Sequence, residues 1–155
     1  MRLAIACLLV IAVVAYAALS GLWVTNSSGW YLSLVQPPWQ PPNWIFGVIW
    51  PYNFVMLGYV SVRFANGAPL ADVWIWTITL IVTVTTAILW SYTFYQLKNL
   101  GLAAGFLVVT AVATLMLCFL IFRFDSVMGL FFVPYQLWLI TAASLAVGYW
   151  RLNPS

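Results

Sequence analysis

The stretch WYLSLVQPPWQPPNW, residues 30–44, decides how the rest of the chain is read. It combines the aromatics Trp30, Tyr31, Trp39 and Trp44 with Pro37, Pro38, Pro41 and Pro42, and carries no charge. Proline fixes φ and removes a backbone donor, so residues 36–43 take an extended, polyproline-like path that is stiff without hydrogen bonds. Rings hung on such a strap are unfavourable in water unless they cover something. Long apolar segments flank the stretch on both sides. It therefore reads as an irregular, aromatic-rich loop, a lid over whatever those segments build.

The segments are membrane spans. Of 155 residues, 66% are hydrophobic and 5% charged, against about 25% charged in a soluble domain. Five basic and two acidic side chains cannot clothe a water-facing surface, so the bilayer is the main solvent. A net charge of +3, dispersed along the chain, offers no basic patch and argues against nucleic acid as a partner. Cys7 and Cys118 lie in apolar runs without metal or disulfide spacing and read as packing residues.

A span needs roughly 20 apolar residues. Five segments qualify, at about 3–24, 44–65, 73–95, 100–122 and 127–150, giving one all-α membrane domain over 1–155. Only the first connection, 25–43, is long. The first segment also resembles a signal peptide around AYAALS, but its length and Trp23 favour a retained helix. The basic residues lean towards a cytoplasmic N-terminus. Pro51 and Pro134 fall inside spans two and five, where each kinks a helix and makes room between neighbours.

Apart from Trp30 and Trp39 on the strap, the ten tryptophans divide into two groups. Trp23, Trp44, Trp74, Trp76 and Trp150 sit at span ends and are expected in the interfacial aromatic belt. Trp50, Trp90 and Trp138 lie deeper; Trp50 is roughly 9 Å into its span at 1.5 Å per residue. Indole N–H groups at that depth need partners in another helix or a polar cavity. Helical spacing groups Phe46, Trp50, Phe54 and Leu57 on one face, with Asn53 beside it. It likewise groups Thr83, Ala87, Trp90 and Phe94 in span three, and Tyr135, Trp138, Ala142 and Ala146 in span five. Three stripes of flat rings with small or polar residues predict an aromatic-lined pocket, capped by the long first loop.

The chain has no histidine and no glutamate, so hydrolytic triads, zinc sites and histidine-ligated haem are unavailable, and no cofactor is required. A bound tetrapyrrole would be held by stacking and shape, its carboxylates meeting Lys98 or Arg151. GLAAG at 101–105 places Gly101 and Gly105 on one helix face, for a partner chain or a neighbouring helix. VGYWR fits a loose sterol-contact pattern through Val147, Tyr149 and Arg151. NSS at 26–28 fits a glycosylation acceptor.

These residues resemble the translocator protein family, also called tryptophan-rich sensory proteins. Its run W-Y-x-x-L-x-K-P-x-W-x-P-P-x-x-x-F-x-x-x-W is matched by Trp30, Tyr31, Leu34, Pro37, Trp39, Pro41, Pro42, Phe46 and Trp50. LWSYTFY resembles its W-S-x-x-F-F motif through Trp90, Ser91, Phe94 and Tyr95. PYQLWLITAASLA resembles its span-five motif through Pro134, Tyr135, Trp138, Ala142 and Leu145, and the ending RLN matches too. Departures cluster in the pocket. Gln36 stands where the family is usually basic, Phe54 where it has Tyr and Leu57 where it has Met. Thr83 and Ala87 replace a Gln/Asn pair, and Ala146 an Asn.

The resemblance implies a five-helix membrane protein binding flat hydrophobic molecules: porphyrin, haem or sterol. It implies a homodimer among membrane lipid, in a bacterial membrane or the mitochondrial outer membrane. It assigns ligand contact to Trp39, Trp90, Ala142 and Ala146, and makes Trp50 and Trp138 candidates for light-driven porphyrin breakdown. Three functions follow as expectations: a tetrapyrrole-binding sensor, regulator or carrier; a porphyrin-degrading enzyme; or a sterol or lipid transporter.

Overall fold

The computed structural model describes residues 1–26 and 28–154 and contains six helices. These are α1 (Arg2–Asn26), α2 (Ser28–Ser33), α3 (Asn43–Gly67), α4 (Leu70–Tyr95), α5 (Leu100–Phe124) and α6 (Ser126–Leu152). All but α2 are long and apolar enough to cross a membrane, so the expected five-span, all-α architecture holds. In lipid the backbone must satisfy its own hydrogen bonds, and a helix does so within one segment. The irregular loop is corrected at its start: residues 28–33 form α2, so Trp30 and Tyr31 ride on a short helix, and the proline-rich strap begins after it. The NSS motif at 26–28 includes Ser27 and falls outside the described residues.

Short links make sequential neighbours antiparallel. Residues 68–69 join α3 to α4, and Asp125 alone joins α5 to α6. Asp125 ends one helix and starts the next, its carboxylate accepting from Val127 N at 2.9 Å and Met128 N at 3.0 Å. Between α4 and α5, Lys98 takes a left-handed φ of 56°, and Asn99 N closes the turn on Thr93 O at 3.0 Å. Asn99 then caps α5 by accepting from Leu102 N at 3.0 Å.

The five long helices close a ring in the order α1, α3, α6, α5, α4 and back to α1. Its two halves differ. The half near the N-terminus is packed solid around Phe64 and Trp76, stacked at 4.6 Å and 26°, with Phe124 and Phe132 at their edges. Arg2 pins α1 to this end, its guanidinium donating to Ala65 O at 2.7 Å and Ala68 O at 2.9 Å, carbonyls at the close of α3. α1 also sends Leu9 and Tyr16 fully into the core, so it is an integral wall of the bundle.

Trp76 corrects the aromatic-belt reading. It is fully buried, and its indole N–H donates to Ser61 Oγ at 3.1 Å. It continues the stripe of Leu80, Thr83, Ala87, Trp90 and Phe94 by steps of four and three residues, a signal that outranks its nearness to a span end. Trp44, Trp74 and Trp150 are exposed and Trp23 half-buried, on the outer surface as expected. Gly101 makes room for Trp150: a Cβ there would meet its Nε1 at 2.9 Å. Half of the GLAAG motif thus serves packing of α5 on α6, while Gly105 has open space in front of it.

Candidate functional site

The other half of the bundle is hollow. A cavity of about 500 Å³ lies between the C-terminal ends of α1, α4 and α6 and the N-terminal half of α3. α1 contributes Ala17, Ser20, Gly21 and Val24; α3 contributes Asn43, Phe46, Trp50 and Phe54. α4 supplies Trp90, Phe94 and Tyr95, α6 supplies Ala142, Leu145, Ala146 and Tyr149, and Tyr31 and Gln40 close it from the loop. No lining residue carries a formal charge, and the volume falls within the usual range for small-molecule sites.

The three deep indoles do converge. Trp50 is the hub, stacked on Trp90 at 6.0 Å and 19° and on Phe54 at 5.8 Å and 24°. Trp138 meets it edge-on at 6.1 Å and also meets Phe46 at 5.1 Å. Trp138 is buried behind Trp50 and Phe46, outside the described lining, so it orients the rings that face the space. The indole N–H groups of Trp90 and Trp138 are buried without a partner.

The strap is a roof, fastened chiefly to α6. Asn153 accepts from Val35 N at 2.8 Å and donates to Val35 O at 3.0 Å. The Tyr149 hydroxyl is within hydrogen-bonding reach of Gln40 Oε1 and, at 3.0 Å, of the Tyr31 hydroxyl. Trp39 donates to Ser144 Oγ at 3.3 Å. Pro37 and Trp39 press so closely on Gly148 that a Cβ there would lie 2.8 Å from each. Glycine is needed there because the strap approaches the helix backbone.

Several expected contacts lie elsewhere. Trp39 is 53% exposed on the Ser144–Gly148 face of α6, outside the cavity lining. Trp30 packs on Phe94 at 5.6 Å, with the Lys98 ammonium 5.6 Å from its ring centre, so both brace the foot of the roof. Asn53, Ala87 and Tyr135 are fully buried beneath the cavity. Of the sterol-contact candidates, Tyr149 faces inward, Val147 is half-buried and Arg151 is exposed. Residues two apart on a helix do not face the same way, so Tyr149 turns away from Val147 and Arg151, which lie four apart. Phe46, Trp50, Phe54, Trp90, Phe94, Ala142 and Ala146 line the space as expected.

The α1 wall was absent from the expected site, as were Tyr31, Gln40, Asn43, Tyr95 and Leu145. Tyr16 and Ser20 carried a usable signal, polar groups a turn apart in an otherwise apolar span. A shallower groove runs between α1 and α3 on the outer face, lined by Val10, Val14, Gly58 and Tyr59, and shares Ala17 and Phe54 with the cavity. Those two side chains are the partition between the inner space and the lipid side.

Residues 6–151 match the model of the TspO/MBR family. The chain is 30% identical to Protein CrtK of Rhodobacter capsulatus over 136 residues, 84% of this chain and 82% of that protein. It is 27% identical to a tryptophan-rich sensory protein of Cereibacter sphaeroides over 128 residues, 80% of this chain and 77% of the relative. A segment of 43 residues, 26% of this chain and 25% of the relative, is 44% identical to the translocator protein of Bos taurus.

Proposed function

The chain belongs to the TspO/MBR family, and on that premise we propose that it binds flat hydrophobic ligands within the membrane, tetrapyrroles foremost, as a sensor, regulator or carrier. The protein is a multi-pass integral membrane protein. The observation that carries the reading is the Trp50 hub: two near-parallel ring partners bordering a roofed cavity of about 500 Å³ with a neutral lining. Indole and phenyl faces bind planar apolar molecules by stacking and area burial, without an ionisable group. Protoporphyrin added to the protein should quench tryptophan fluorescence saturably. Trp50→Phe combined with Trp138→Phe should weaken that binding several-fold, and quenching unchanged in the double variant rejects this pocket.

A second reading, light-driven breakdown of bound porphyrin, draws on the contact of Trp50 with both Trp90 and Trp138. Contiguous indoles can donate electrons where carboxylates cannot. Illuminated wild type should alter the porphyrin spectrum more than detergent alone, and Trp50→Phe should remove the excess. Equal spectra for protein and detergent discard this reading.

A further inference from the structure

Beneath the rings of the cavity floor lies a layer of polar groups that the ligand reading has not used. Asn53 is fully buried, and neither its amide nitrogen nor its carbonyl oxygen has a partner. The hydroxyls of Tyr16, Tyr135 and Thr83 are likewise fully buried and unpartnered.

Helix register places three of them together. Trp50 and Trp138 touch across the bundle, α3 and α6 run in opposite directions, and Asn53 follows the one as Tyr135 precedes the other by three residues. Each is therefore about one turn deeper than its tryptophan, at the same level. Tyr16 joins that level through its ring, 4.9 Å from Phe54 and 6.4 Å from Trp50. Thr83 lies two turns beyond Trp90, at the lower edge.

Buried polar groups without partners are rare, because each forfeits its hydrogen bonds to water. Here three side chains do so at one depth, with Thr83 below them, which marks a site that is complete only when something enters it. The donor set selects the occupant. An amide and phenolic or alcohol hydroxyls both give and accept hydrogen bonds, and none is ionised. A carboxylate or ammonium brought among them would remain an uncompensated buried charge. A neutral group that donates and accepts side by side matches the set.

We propose that Asn53, with Tyr135 and Tyr16, forms a hydrogen-bonding subsite that receives a neutral donor–acceptor group, of the lactam or secondary amide class, on the inner edge of a flat ligand. The inference rests on the ligand-binding reading of the cavity. Phe54 provides the way in. It separates the cavity from the outer groove between α1 and α3, and that groove gives the ring space to swing into as the ligand edge passes.

The test uses two three-ring plates of nearly equal shape, phenanthrene and phenanthridinone, the second bearing a lactam. Both are titrated against the intact protein in lipid nanodiscs by tryptophan quenching, in wild type, Asn53→Leu and Tyr135→Phe. The ratio of the two dissociation constants, compared between proteins, cancels partitioning into lipid. Asn53→Leu should cut the preference for the lactam about tenfold while leaving phenanthrene bound as well or better. Tyr135→Phe should act in the same direction, less strongly. Leucine fills the asparagine's space and removes orphaned polar atoms, so Asn53→Leu should also melt higher. Binding of both plates with the ratio unchanged within twofold in every protein overturns the subsite and leaves the pocket standing. Failure of both plates to quench the wild type overturns the pocket and the subsite together.

Discussion

Removing one oxygen atom should loosen the roof. Tyr149 is buried, its ring meets Tyr31 at 5.7 Å and Phe94 at 5.8 Å, and its hydroxyl reaches Gln40 Oε1 and the Tyr31 hydroxyl. Tyr149→Phe keeps the ring packing and deletes both polar contacts. A net hydrogen bond contributes about 0.5–1.5 kcal/mol. The loss is partly offset, because Tyr31 and Gln40 stand 3.5 Å apart and can pair with each other. The closed roof should weaken by about 1–2 kcal/mol, which makes release roughly five- to thirtyfold faster. Stopped-flow recovery of tryptophan fluorescence, with bound protoporphyrin diluted into excess empty detergent micelles, measures that rate. Release within twofold of the wild-type rate, from a variant that still binds, would refute the assignment of Tyr149 as the latch.

Three further outcomes follow from the packing. Gly148→Ala places a methyl 2.8 Å from Pro37 and Trp39, so it should lift the strap and speed both ligand release and proteolysis within residues 34–42, with little change in melting temperature. Trp76→Phe loses the bond to Ser61 and part of the stack on Phe64, and should cost about 2 kcal/mol in thermal unfolding without altering ligand affinity, whereas Trp74→Phe should cost almost nothing. Asp125→Ala removes the only residue joining α5 to α6 as a cap, and should cost about 1 kcal/mol; a melting temperature equal to wild type would show that the cap is dispensable.

The architecture was largely legible because the bilayer imposes few solutions. Charge scarcity and five apolar runs of spanning length leave little besides a helix bundle, and the structure has that bundle. The deep tryptophans were legible for a related reason: an indole far from the headgroups must face protein, and Trp50, Trp90 and Trp138 do. Trp76 shows where depth alone misleads. Its position near a span end suggested the interface, while its place in the α4 stripe fixed the face it turns, and the face decided. The α1 wall was hard to see because Ala17, Gly21 and Val24 are as apolar as lipid-facing residues. The anchoring of Trp39 was hidden for another reason. Polyproline geometry predicts a stiff strap, but which ridge that strap lies on depends on Gly148 and Ser144, more than a hundred residues away.

The roof and the α6 wall are one mechanical body. Ser144, Gly148, Tyr149 and Asn153 bind the strap along the last turns of the helix, so the strap travels wherever that helix tilts. A guest too large for the chamber can gain width by pushing α6 outward, and the same push carries the hatch with it. Capacity and access are thereby geared together at this wall: widening the chamber on the α6 side lifts its door in the same stroke, and guests housed that way would sit in a looser vessel than slim ones.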